Sequence, residues 1–431
     1  MARTGRTSQR SPTATQTAQP KDVSSVFRIP SLRELSPHLR LRILAATTLL
    51  AAILAVVLIP HNAAAAHSTA NRRAAGLVST QPAATGSPAP TRTTPDTTKA
   101  AAATTNLPLA RAVGQLIIAT YAGVAPPKRF LRAVRAGKIG AVILMGGNTT
   151  GGVAGTRKAT DALQHAARAG GNPGLLIMTD QEGGQVKRLP GAPDYPASAM
   201  GNPHLAAQQG LATAKVLKAA GVNVDLAPVA DVSTIDGFMT QEQRTFGSSA
   251  SVVANAACSF AEALARSGVA YTLKHFPGLG DAQTTTDNAP VSIPESAASI
   301  YANDAAYRKC GHGKLALVMV SSASYPNLTG TAPAVLSPLL YRKVIKQDQI
   351  NALLISDSFE SGAIEHLQTP ALRALNAGLD MVMYPGDESA GLSSYSKLLN
   401  DAEHGLLSKE RVYAAAARVL ALKRNLGLAK K

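Results

Sequence analysis

Beyond residue 106 the chain alternates two textures. Continuous apolar runs of six or seven residues occur at Leu116 to Tyr121, Ile139 to Met145, Leu175 to Asp180, Val222 to Pro228, Val269 to His275, Leu315 to Ser321, Ala352 to Asp357 and Leu379 to Tyr384. Between most of them lie stretches with apolar residues three or four apart: Lys128 to Ala136, Arg157 to Ala169, Leu205 to Ala220, Val252 to Ser267, Ala297 to Lys309, Leu336 to Lys346 and Ala363 to Ala377. A run apolar at every position is a strand covered on both faces, and alternation with helices implies parallel pairing through right-handed crossovers. Eight such units predict a (β/α)8 barrel, with a doubly wound open sheet as the rival. A last helical pattern, Lys409 to Leu426, is expected to pack on the outside.

The first 105 residues read differently. They carry twelve Lys or Arg against three Asp or Glu, and so hold +9 of the chain's +17 net charge. Residues 1–42 are polar and basic, with too little apolar surface to offset ordering, and read as a disordered cytoplasmic tail. Residues 43–59 form a seventeen-residue uncharged apolar stretch behind Arg40 and Arg42. That is the lower limit for a single transmembrane span, oriented with the barrel outside the cytoplasm. A cleaved signal peptide is the alternative, since Ala63 to Ala66 offers small residues to a peptidase. Either way the remainder is exported. Residues 60–105, rich in Ala, Thr and Pro, serve as a linker to the folded domain at 106–431.

Because most of the excess charge lies outside that domain, and the chain has no Trp, no nucleic-acid partner is expected. The nine His and two Cys show no metal-ligand spacing, so neither metal nor other cofactor is implied. Cys258 and Cys310 fall near consecutive outer helices and can pair in an oxidising compartment, with two buried thiols as the alternative.

On a barrel of this kind chemistry gathers at the C-terminal ends of the strands. Reading those ends gives Asp180, Asp231 a little beyond the fourth run, Lys274 with His275, Ser321 with Ser322, and Asp357. After His275, Pro277, Gly278 and Gly280 break regular structure and open a polar loop carrying Asp281 and Asp287. Each residue alone has a structural explanation: Asp180 or Asp357 as a helix or loop cap, Arg188 and Arg244 in surface ion pairs, His275 as a buried imidazole. Their convergence on one rim is what points to a site.

Five ordered motifs sharpen this reading: Asp180-Gln-Glu-Gly-Gly-Gln-Val-Lys-Arg-Leu189, Gly221-Val-Asn-Val-Asp-Leu-Ala-Pro-Val229, Arg244-Thr-Phe-Gly247, Lys274-His-Phe-Pro-Gly278 and Ile355-Ser-Asp357. Together they resemble the N-terminal barrel domain of glycoside hydrolase family 3, above all its single-domain bacterial β-N-acetylglucosaminidases. The resemblance implies a carbohydrate substrate in cell-wall glycans and a retaining mechanism with Asp357 as nucleophile. It implies that Asp180 grips the hydroxyls of the terminal sugar, with Arg188, Arg244, Lys274 and His275 as further sugar contacts. Cations around Asp357 are expected to keep its pKa low. Glu182 is expected to brace the Gly183-Gly184 turn, Asp225 and Asp231 to stand behind the contacting residues, and Asp380 to steady the loop after the last strand.

The sequence departs from the family in one place. Where the resemblance calls for a His in the loop and then Asp-Ser-His, this chain has Leu279 and Asp287-Asn288-Ala289, in a loop about two residues longer. The His of the acid/base dyad is absent. Asp287 holds the position of the dyad's Asp and is the first candidate for the proton donor, if loop closure desolvates it; Asp281 is the second. A glycan-binding barrel with little or no turnover is the competing expectation.

Overall fold

A computed structural model describes residues 107–234 and 236–430. The tail, the apolar stretch at 43–59 and the linker lie outside the described residues. Among the described residues no helix is long and apolar enough to cross a membrane.

All eight apolar runs form strands: β1 (Ile117–Ala119), β2 (Ala141–Ile143), β3 (Leu176–Thr179), β4 (Val224–Asp225), β5 (Ala270–Phe276), β6 (Ala316–Val320), β7 (Leu353–Ser358) and β8 (Met381–Tyr384). They close into one parallel barrel in sequence order, and the last strand pairs with the first through Ile117 opposite Val382. That pairing excludes the open sheet.

The strands alternate sides as the pleat requires. In β3, Leu176 and Met178 join the packed lumen with Ile118, Ile143, Met319, Ile355 and Met381, while Ile177 packs outward into the helix layer. The lumen is a filled core, so the only place for a ligand on the barrel axis is above the strand ends.

Ten helices of six or more residues surround it: α1 (Leu109–Gln115), α2 (Lys128–Arg135), α3 (Gly152–Ala169), α4 (Pro203–Ala219), α5 (Ala250–Arg266), α6 (Ala297–Asn303), α7 (Ala305–Cys310), α8 (Pro370–Ala377), α9 (Glu388–Glu403) and α10 (Lys409–Asn425). The start of α4 shows why the sequence folds as it does. Asn202 accepts from the backbone N–H of His204 and Leu205, and Pro203 supplies a helical φ where no donor is needed.

Three expected helices are corrected. Ala297 to Lys309 breaks at Asp304, which ends α6 and begins α7. Leu336 to Lys346 is a 3-10 turn, a π turn over Leu340–Val344 and one turn of α-helix. Ala363 to Ala377 becomes helical only at Pro370, because Thr369 takes a left-handed backbone with φ of 47°. The helix α9 was not anticipated.

Two features lock the body from outside. Cys258 on α5 and Cys310 at the end of α7 form a disulfide with their Cα atoms 5.8 Å apart, which removes the free-thiol alternative. Val419 and Leu422 of α10 enter the lumen cluster, with Leu426 and Leu428 packed against it, so this helix corks the bottom of the barrel as well as lying on its outside. Asp380 serves the same end. Its carboxylate receives Arg411 and Arg418 of α10 and the backbone N–H of Leu354, which ties the helix to the starts of β7 and β8 instead of steadying the loop beyond β8.

Candidate active site

Asp180, Lys274, His275 and Asp357 sit at the C-terminal ends of strands, and Arg188, Arg244 and Asp287 come from the segments that follow those ends. Asp180 follows β3 directly, and the chain then forms a small hairpin, Gln181–Gly183 against Val186–Lys187. Gln181 staples it. Its buried carboxamide donates to the carbonyls of Leu189 and Ala192 and accepts from the N–H groups of Arg188 and Leu189. Thr149, from the turn after β2, donates to the Arg188 carbonyl at 2.7 Å. Arg188 is thus fixed by its backbone, while its Nε is buried without a protein partner.

The hairpin delivers Glu182 as well as Asp180. Glu182 accepts two bonds of 2.8 Å, from Arg244 Nε at Oε2 and from Nη2 at Oε1, and Lys274 Nζ stands 2.7 Å from that same Oε1. Lys274 also reaches Asp180 Oδ1 at 2.8 Å, and Arg188 Nη2 lies 3.9 Å from Asp180 Oδ2. Asp180, Arg188, Arg244 and Lys274 therefore form one connected network with Glu182 at its centre. Glu182 is its keystone and not merely a brace for the glycine turn.

Electrostatics follow from this geometry. Burial alone would raise the Glu182 carboxyl, but Lys274 and Arg244 hold it down at about 2. Burial likewise opposes the charge on Lys274 and Arg244, and the carboxylates override it and raise both. All three are permanently charged.

His275 is held from the opposite side. Asp231, fully buried, accepts from His275 Nδ1 at 2.8 Å, from the His275 N–H at 3.1 Å and from the Leu279 N–H at 2.8 Å. This occupies one ring nitrogen and leaves Nε2 for the hollow. The Lys274–His275 and Phe276–Pro277 peptide bonds are cis. Asp225, below the network, accepts from the Gln181 N–H, and burial pushes its carboxyl well up.

Asp357, near the end of β7, has a half-buried side chain whose Oδ1 accepts from the Ser358 N–H at 2.7 Å. The expectation of a low pKa is overturned. Burial raises it, the nearby His275 and Lys274 lower it less, and Asp287 adds to the rise. Asp287 itself is exposed on the loop after β5, so its expected desolvation is absent in this conformation. The start of the loop is tied down. Asp281 is spent on the Thr234 N–H and hydroxyl at 2.6 and 2.8 Å, and Leu279, in place of the expected His, is buried. Asp281 acts as a tether through its Oδ1.

Residues 109–422 match the family model for the glycosyl hydrolase family 3 N-terminal domain. The chain belongs to glycoside hydrolase family 3. It is 31% identical over 331 residues to an uncharacterized secreted glycosyl hydrolase of Arthroderma benhamiae, covering 74% of this chain and 94% of that one. It is 29% identical over 251 residues to the β-hexosaminidase LpqI of Mycobacterium tuberculosis, over 52% of this chain and 61% of that one. Among solved structures, the β-N-acetylhexosaminidase of Beutenbergia cavernae superposes with a TM-score of 0.68 at 30% identity, covering 74% of this chain and 99% of that chain.

Sequence reasoning missed Glu182, Gln181 and Thr149 as builders of the site. Glu182 and Arg244 are 62 positions apart and meet only when the barrel closes. The one available signal was the occurrence of both in the motifs that carry the family resemblance.

Proposed function

We propose that this glycoside hydrolase is an exported retaining β-glycosidase that releases terminal N-acetylglucosamine or a closely related β-hexosamine from cell-wall glycans. The observation that carries the reading is that Asp357 stands at the end of β7 on the rim where β5 brings Lys274 and His275, with Lys274 joined to a built network of Asp180, Glu182, Arg188 and Arg244. The hexosaminidase names of the relatives support the sugar class. The Cys258–Cys310 disulfide and the secreted fungal relative support export. On this reading residues 43–59 tether the domain at 106–431 to the membrane, or are cleaved from it. Membrane fractionation of cells expressing the full chain, with N-terminal sequencing of the product, separates the two.

In the first step the Asp357 carboxylate attacks the anomeric carbon, and the bond from that carbon to the leaving oxygen breaks. Asp287 donates a proton to that oxygen. In the second step Asp287 takes a proton from water, whose oxygen attacks the same carbon and releases Asp357. Asp180 accepts hydroxyl hydrogen bonds from the terminal sugar, and the Arg188 guanidinium, His275 Nε2 and Arg244 donate to it. Lys274, buried and shared by two carboxylates, acts chiefly by orienting Asp180.

A second reading, a barrel that binds glycan with little turnover, is favoured by one observation. No His stands at Leu279 or Ala289, and Asp287 is open to water. Aryl β-N-acetylglucosaminides and β-glucosides decide between them, since aryl leaving groups need little protonation. Release of chromophore with covalent trapping of Asp357 by a fluorinated sugar is expected. Sugar binding without either would establish the binder.

A further inference from the structure

The position of Asp287 depends on a residue that has no side chain. The loop after β5 is fastened early: Tyr325 OH donates to the Gly278 carbonyl at 2.8 Å, the Leu279 N–H to Asp231, and Thr234 to Asp281. Its far end is fastened elsewhere, to the segment that leaves β7. The Gly362 N–H donates to the Asp287 carbonyl at 2.8 Å, and the next N–H, of Ala363, donates to the Thr286 carbonyl at 3.2 Å. Gly362 lies in the turn just beyond the strand that carries Asp357, so one short stretch of chain carries the nucleophile and receives the loop.

The contact is too close for any other residue. A Cβ placed on Gly362 would stand 2.4 Å from the Asn288 carbonyl oxygen, 2.6 Å from its carbon and 3.0 Å from the Ala289 nitrogen. All three atoms are backbone, so no side chain can rotate away. The loop would have to lift, taking Asp287 with it.

We propose that Gly362 is a positioning residue for the hydrolysis, the dock that fixes the Asp287 loop against the end of β7 and so sets the acid/base carboxyl opposite Asp357. The charge of Asp287 is felt at Asp357, which agrees with the two being held close. The inference rests on Asp287 acting as acid/base, and the experiment keeps the two ideas apart.

The test compares Asp287→Asn, Gly362→Ala, their combination, and Thr285→Val, in the purified full chain. Thr285 Oγ1 accepts from the Asp287 N–H at 3.1 Å, so its loss loosens the turn without crowding it. Each protein is assayed on a dinitrophenyl β-N-acetylglucosaminide and on a β-linked N-acetylglucosamine disaccharide, with fluorosugar trapping of Asp357 as the check that the barrel stands. A lifted loop should cost Gly362→Ala ~10²-fold on the disaccharide, the lower end of general-acid assistance, and only a few-fold on the aryl glycoside. The double variant should be no slower than Asp287→Asn alone, because both remove the same function. Thr285→Val should show the same substrate bias at smaller size.

Equal losses on both substrates in a trappable Gly362→Ala, or losses that multiply in the double variant, overturn the dock. Should Gly362→Ala fail to trap, an unbiased Thr285→Val overturns it instead. If Asp287→Asn shows no dependence on the leaving group, the acid/base reading falls and the dock falls with it.

Discussion

Arg244 lays its guanidinium against Glu182 through two parallel bonds of 2.8 Å, joining the loop after β4 to the hairpin after β3. Both side chains are largely buried, so the pair is worth more than a surface contact and costs more to break. Glu182→Ala should lower stability by roughly 3 kcal/mol, near the low end for an orphaned buried charge because Asp180 still holds Lys274. Urea denaturation measures the loss. Activity should fall mainly through KM, since Arg244 would no longer be aimed.

The same pair predicts a response to acid. Glu182 is held at about 2 in the folded state against an ordinary 4.5, so its contribution is complete above pH 4.5 and is lost as pH falls through about 2. Wild-type protein should lose stability over that window. Glu182→Gln should lose less of it, which thermal melts across pH 2–5 would show.

Asp357 carries a raised pKa, so the acid limb of kcat/KM should lie above the usual carboxylate range. Burial sets most of the rise and neighbouring charge adjusts it. Removing the negative charge in Asp287→Asn should move the limb to lower pH, and removing the cation in Lys274→Met should move it higher. Both shifts are read on an activated aryl glycoside, where proton donation is dispensable.

Lys423 of α10 is fully buried, with Gln115 Oε1 at 2.7 Å as its hydrogen-bond acceptor, and burial lowers its pKa to about 7. The charged form is what the fold disfavours. Its cost is therefore complete below pH 7 and disappears as pH rises from about 7 toward the unfolded value of 10.5. Stability should climb over that interval in the wild type. In Lys423→Met the climb should flatten, as measured by Tm against pH.

The disulfide spans 52 residues of chain. Closing a loop of that length restricts the unfolded state by about 4 kcal/mol in the chain-entropy view. A Cys258→Ala, Cys310→Ala protein should lose stability of that order in urea while keeping its activity, because neither residue approaches the rim.

How far the sequence revealed this arrangement depends on the kind of signal. All eight strands were legible because a doubly covered strand must be apolar at every position, which leaves an unbroken run. Most long outer helices were legible by their spacing. The failures share a local cause: the chain breaks at Asp304 between two helices, Thr369 takes a left-handed turn, and α9 is interrupted by Gly391 and four serines that dilute its apolar face. At the site, motif positions gave the carboxylates and cations of the rim. They did not give Glu182 its place, nor the exposure of Asp287, since both depend on distant segments meeting. The rise at Asp357 was misjudged for a related reason. The sequence shows which charges are near but not how much water is removed.

At the rim, Arg188, Arg244 and Lys274 meet Asp180 and Glu182 in one ion-paired network, with Asp231 paired to His275 beside it. Charges paired in this way are largely satisfied by one another before anything enters. An uncharged saccharide can settle there without bringing or expelling a counter-ion, and its affinity should barely change with added salt, whereas a sulfated or uronic analogue would upset the balance and be turned away.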